Sequence, residues 1–156
     1  MSSVSSGQSK KEVVCMSTET HVRDIGLLVL RIGIGSMFIW HGHSKLFGGP
    51  EMWAGVGQAM GNLGIGFGAP FWGFMAAFAE FFGGIFLILG IFTRVACALM
   101  AFTMLVGATM HLKQGDGLSV AAHALELMIV FISVFIMGAG RFSVGRMLPD
   151  SAKFLK

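Results

Sequence analysis

The sequence predicts an all-α polytopic membrane protein: an antiparallel four-helix transmembrane bundle with a short interfacial helix between spans one and two. Three observations carry this. Of 156 residues, 54% are hydrophobic and only 12% charged, a balance outside that of ordinary soluble domains. Four apolar runs, at about 25–45, 71–92, 95–112 and 118–137, each approach the ~20 residues that a bilayer crossing requires. Short polar or Gly-rich connections separate them, so successive runs return beside one another.

The first 23 residues, MSSVSSGQSKKEVVCMSTETHVR, are polar and lack the apolar core of a signal peptide. They have too little apolar material to offset the entropy of ordering and read as a disordered tail. Met16 is a second candidate start, because MSTETHVRDIG suffices as a leader to the first span. The bundle then occupies 24–140, and 141–156 form a basic tail.

Between Ile25 and Trp40 the first span carries one ionisable residue, Arg31, and it ends in WHGHSK. Residues 46–70 are Gly-rich, and Met52, Val56, Met60 and Leu63 recur at helical spacing. They predict an interfacial helix over about 51–62, with Trp53 at headgroup level, roofing the bundle. The second span has a single charge, Glu80, near its middle. A turn at Thr93 and Arg94 leads into the third span, which His111 closes, and KQGDG precedes the fourth, which holds His123 and Glu126 in its first half.

Lys10, Lys11, Arg23, Arg94, Arg141, Arg146, Lys153 and Lys156 fall on the side of the termini, against Lys45 and Lys113 opposite. The positive-inside rule therefore places both termini in the cytoplasm. Basic residues scattered in this way form no nucleic-acid-binding stripe. Cys15 in the tail and Cys97 in an apolar run belong to no ligand motif, so neither a disulfide nor a metal site is expected.

Ionisable residues are expensive inside a membrane and point to function or to pairing. Arg31, Phe38, His41 and Lys45 fall within about 80° of arc and can share one groove, whereas His43 points elsewhere. Glu80 lies roughly 15 Å below the outer boundary, and His123 and Glu126 share a helix face at i and i+3. Glu80, His41, Lys45 and Arg31 are the candidate catalytic residues. His41, Lys45, Glu126 and His123 are the candidates for holding a cofactor. The competing structural reading is a set of fixed ion pairs, Arg31 with Glu80 or Lys45 with Glu126. For His111 and His123 it is plain tolerance of imidazole near headgroups. Gly33, Gly35, Gly83 and Gly84 are read as close helix contacts, and Phe74, Phe78, Phe81, Phe82 and Phe86 as apolar bulk.

The stretches LRIGIGSMFIWHGHSKLFGG, FAEFFGGIFLILGIFTRVA and HALELMIVFISVFIMGAGRFSV, with His111 between them, resemble the DoxX family of small four-helix bacterial membrane proteins over roughly residues 24–146. Arg31, the G-x-x-K-L-F-G of Gly42, Lys45, Leu46, Phe47 and Gly48, and Glu80 followed by Gly83 and Gly84 match that family's pattern residue by residue. The resemblance implies a bacterial inner membrane location and membrane redox work, including quinone-reducing thiosulfate oxidation and resistance to quinones and oxidative stress.

The residues themselves leave several functions open. A quinone-linked oxidoreductase subunit needs donors to the quinone oxygens and a group that exchanges protons, for which His41, Lys45, Glu80 and Glu126 qualify. The sequence holds no flavin, dinucleotide or Cys-cluster motif, so electrons would come from a soluble or membrane partner protein. A haem carrier using two of His41, His111 and His123 is disfavoured, because haem would fill the space of the charged residues. A small transporter would demand a homo-oligomer, since one four-helix unit encloses little room. A non-catalytic assembly subunit is the remaining class.

Overall fold

The computed structural model describes the backbone of residues 4–147 and the side chains of residues 19–146. Among the described residues all regular structure is helical. Helix α1 spans Val4–Leu46, α2 Gly49–Gly57, a 3-10 segment Gln58–Leu63, α3 Ala69–Leu89, α4 Thr93–Gln114, α5 Leu118–Met137 and α6 Val144–Met147. Three of these, α3, α4 and α5, are by length and composition able to cross a membrane. The apolar run at 25–45 forms the C-terminal half of α1.

Local chemistry explains the boundaries. Pro50 sits in the first turn of α2, where a missing N–H is harmless, and Pro70 does the same for α3. Gly90 ends α3 in the left-handed region at φ +70, its N–H donating to Phe86 O at 2.8 Å. Phe92 in the following turn has φ +48, a conformation costly for a bulky side chain. Its ring stands 5.8 Å from that of Phe86.

Sequence expectation and structure differ at the N-terminal boundary. Residues 4–23, expected to be a disordered tail, continue α1 without a break. Their residues include no proline, and a helix already nucleated in the apolar run propagates into such a segment at little cost. Of the expected basic tail, residues 148–156 lie outside the described residues. Its first residue is held: the Arg141 N–H donates to Asp24 Oδ1 at 3.3 Å, and Arg141 Nη1 lies 3.3 Å from His21 Nε2.

Helix α1 packs on α3, α3 on α4, and α4 on α5, while α2 lies on α3 and the 3-10 segment on α4. Phe38, Leu87, Cys97, Met100, Phe131 and Val134 form the core. In it the Phe38 and Phe131 rings meet edge-on at 4.9 Å and tie α1 to α5. Lipid supplies no hydrophobic force between helices, so close backbone approach must help to hold them together. A Cβ on Gly84 would stand 2.7 Å from Gly35 O, and one on Gly42 would strike the Phe81 backbone. Likewise a Cβ on Gly57 would strike Ala69 O, and one on Gly73 would strike Trp53 O. Val29, Trp40, Phe71, Ile129 and Ile136 stand exposed on the outside, as lipid-facing residues must.

Candidate functional site

The glycine contacts between α1 and α3 determine what meets at their ends. One turn beyond Gly42 on α1, and one residue before Phe81 on α3, lie Lys45 and Glu80. The Lys45 ammonium donates to both oxygens of the Glu80 carboxylate, at 2.6 and 2.7 Å. Glu80 is 1% exposed, whereas the Lys45 side chain keeps 31% of its surface. The pair is therefore sealed on the carboxylate side and open on the ammonium side. Trp53 closes the end of α1, its Nε1 donating to Lys45 O at 3.0 Å and packing against Phe74. This is a cap on α1, where the sequence suggested a headgroup anchor.

Arg31 does not pair with Glu80. Its guanidinium, 1% exposed, donates only to backbone carbonyls: Nε to Leu87 at 2.8 Å, Nη2 to Ile88 at 2.8 Å, and Nη1 to Phe142 at 3.0 Å and to Ala139. Leu87 and Ile88 lie in the last turn of α3, whose carbonyls have no intrahelical donors and carry the negative end of the helix dipole. Arg31 thus binds the end of α3 to the segment after α5. Neither ion pair offered by the structural reading of the sequence, Arg31–Glu80 or Lys45–Glu126, is present.

The histidines divide into two groups. His41 and His123 are exposed, as is Glu126. His41 and His123 nevertheless stand in register with core residues: His41 three residues beyond buried Phe38, and His123 four before half-buried Leu127 and eleven before buried Val134. His111 is half-buried at the end of α4, with Nδ1 2.7 Å from Asp116 Oδ2. His43, outside the arc of the others, stands 4.8 Å from the Phe47 ring and 6.2 Å from that of Phe81. A half-buried ridge of Phe74, Phe78 and Phe82 runs along α3, with ring separations of 6.2 and 4.5 Å.

Chemically, the arrangement offers a buried carboxylate with one accessible cationic partner, beside aromatic faces. A hydrogen-bond acceptor that reached the Lys45 ammonium would compete with the Glu80 carboxylate for its protons. Among the described residues no three His, Cys, Asp or Glu side chains are grouped to hold a metal ion. Sequence reasoning missed Asp24, 4% exposed. Its signal was its place two helical turns before Arg31, on the same face. It also missed Trp72, whose Nε1 is buried without a hydrogen-bond partner.

Comparison with known proteins agrees with this architecture. The chain is 31% identical over 131 residues to Inner membrane protein YqjF of Escherichia coli (strain K12), covering 81% of this chain and 95% of that one. It is 37% identical over 90 residues to "Putative oxidoreductase CatD" of Bacillus subtilis (strain 168), covering 58% of this chain and 61% of that one. No solved structure matches. The model of the DoxX family matches residues 26–113, a stretch that includes Arg31, Lys45, Glu80 and the glycines joining α1 to α3. The chain therefore belongs to the DoxX family of membrane proteins.

Proposed function

We propose that this protein is the membrane subunit of a quinone-linked or oxidative-stress redox system of the bacterial inner membrane, with the Lys45–Glu80 pair as its working centre. The observation that carries the reading is the asymmetry of that pair. A carboxylate 1% exposed is held by one partly accessible ammonium, so a ligand oxygen that engages the ammonium acts on the buried carboxylate through it. In this reading a soluble or membrane partner protein supplies the electrons, Lys45 and His41 donate hydrogen bonds to a quinone oxygen, Glu80 exchanges the proton that accompanies reduction, and Glu126 and His123 border the entrance. Arg31 acts by holding the helices in place. The names of the two relatives, one an inner membrane protein and one an oxidoreductase, support the location and the chemical class.

The same reading takes 25–45 as a fourth span, antiparallel to α3. It is supported by the order of contacts along the pair: Arg31 with Leu87 and Ile88, Gly35 with Gly84, Gly42 with Phe81, Lys45 with Glu80. Four spans and the distribution of basic residues put both termini in the cytoplasm.

One observation favours a second reading, a non-catalytic assembly subunit. His123 and Glu126 are exposed on a span, where ionisable side chains normally face a bundle interior or a partner. A second copy or a redox partner protein covering that part of α5 would remove the cost.

Solvent extraction of the detergent-purified protein, with assay for bound quinone, tests the proposal. Wild type should retain quinone, and Glu80→Gln and His41→Ala should lose it while inserting normally. Quinone absent from wild type, or retained equally by both variants, would remove the pair from redox chemistry and leave the assembly reading.

A further inference from the structure

The end of the bundle opposite the Lys45–Glu80 pair holds a second arrangement of charge. Gly90 and Arg94, from the α3–α4 turn, face Gly138, Ala139 and Ser143, from the segment after α5, across a crevice of about 530 Å³, with Arg146 of α6 completing its wall. Among the described residues no carboxylate lines it. Among the described residues the Arg94 and Arg146 guanidiniums have neither a hydrogen bond nor an ion pair, and both residues are exposed. Arg31 stands directly behind the wall: a Cβ on Gly90 would lie 2.5 Å from Arg31 Nη2. Its charge is buried, and among the described residues its hydrogen bonds all go to carbonyl oxygens and none to a carboxylate. The nearby acid is Asp24, which flanks Gly140 and already accepts the Arg141 N–H. Among the described residues three guanidiniums thus bear on one concave space against one carboxylate.

Planar guanidiniums pair with the oxygens of phosphate through parallel hydrogen bonds, a geometry that a lysine cannot reproduce. The volume lies within the range of ordinary ligand pockets and admits a phosphate with its substituents. Its place at the helix ends, level with the bilayer surface, brings it within reach of lipid headgroups. We propose that this crevice is a phosphate-binding site formed by Arg94 and Arg146, with Arg31 supplying field from behind Gly90. The phosphate comes either from the headgroup of an anionic phospholipid or from a free phosphate compound.

The test uses the full chain in a neutral detergent and calorimetric titration with two probes, dihexanoyl phosphatidylglycerol and inorganic phosphate. Wild type should bind at least one of them, and Arg94→Gln combined with Arg146→Gln should weaken that binding at least tenfold. Arg146→Gln alone, on a short exposed helix outside the bundle, should weaken it severalfold and guards against a folding defect at Arg94. Arg23→Gln removes an exposed charge that does not line the crevice and should leave binding within twofold. Phosphatidylglycerol binding that inorganic phosphate does not displace identifies the lipid as the source. Displacement, or binding of inorganic phosphate alone, identifies a free phosphate compound. No binding by wild type, binding by the double variant within twofold of wild type, or an equal loss in Arg23→Gln would each overturn the proposal.

Discussion

The two buried charges on the α1–α3 interface, Arg31 and Glu80, are equally inaccessible, at 1% exposure each, yet their partners differ in kind. Arg31 is surrounded by four backbone carbonyls from two segments, none of which can titrate or swing away. Glu80 depends on one flexible side chain that keeps part of its surface exposed. A charge bound to backbone locks geometry, and a charge bound to a half-exposed ammonium can respond to what arrives there. On the proposed reading the first is a fixed end of the bundle and the second a responsive one, although both are built from the same pair of helices.

The sharpest way to break that distinction is at Arg31. Arg31→Lys keeps the charge but presents three donors from one nitrogen, which cannot span the ends of α3 and of the segment after α5. The variant should lose about 3 kcal/mol or more, in line with broken charge-assisted bonds to buried acceptors, read as a fall in thermal stability in detergent. Wild-type stability in Arg31→Lys would show that charge alone suffices and that the fork geometry is irrelevant.

Lys45→Met comes next, because it strands the Glu80 carboxylate and should cost about 3 kcal/mol. Adding Glu80→Gln should recover most of that loss, since the stranded charge is gone, and a double-mutant cycle measures the coupling directly. If the double variant is no more stable than Lys45→Met, the pair is not coupled and the responsive end is misassigned.

Gly42→Ala should cost about 1–3 kcal/mol by forcing α1 away from Phe81. It should also displace Lys45 from Glu80, so quinone retention should fall in parallel with stability. The smallest effect is expected at His111→Gln: its contact with Asp116 is partly exposed, and such pairs contribute under ~1 kcal/mol.

The helices were legible in the sequence because span length and turn chemistry are local properties. Runs at 71–92, 95–112 and 118–137 became Ala69–Leu89, Thr93–Gln114 and Leu118–Met137, with glycines at the ends of all three. The Gly-rich stretch also gave its helix, as α2 and the 3-10 segment. The partners of the charges were not legible. Depth along a helix placed Arg31 near Glu80, but a difference of one turn decides whether a side chain finds a carboxylate or a helix end, and composition does not encode that. Lys45 was singled out by its spacing from His41, whereas the contact that occupies it comes from another helix. A tail with too little apolar surface to fold alone can continue an existing helix, which is how residues 4–23 stand in α1.

The carbonyl set around Arg31 also bears on how the chain is made. Arg31 is synthesised among the first residues of the membrane domain, and two of its four acceptors, Ala139 and Phe142, among the last. During synthesis and insertion the cation must wait, incompletely satisfied, for more than a hundred residues. The fold therefore contains its own test of completion. A chain interrupted anywhere before Ala139 keeps an under-coordinated cation at the end of α3, a defect that marks an unfinished molecule and disappears only when the segment after α5 closes over it.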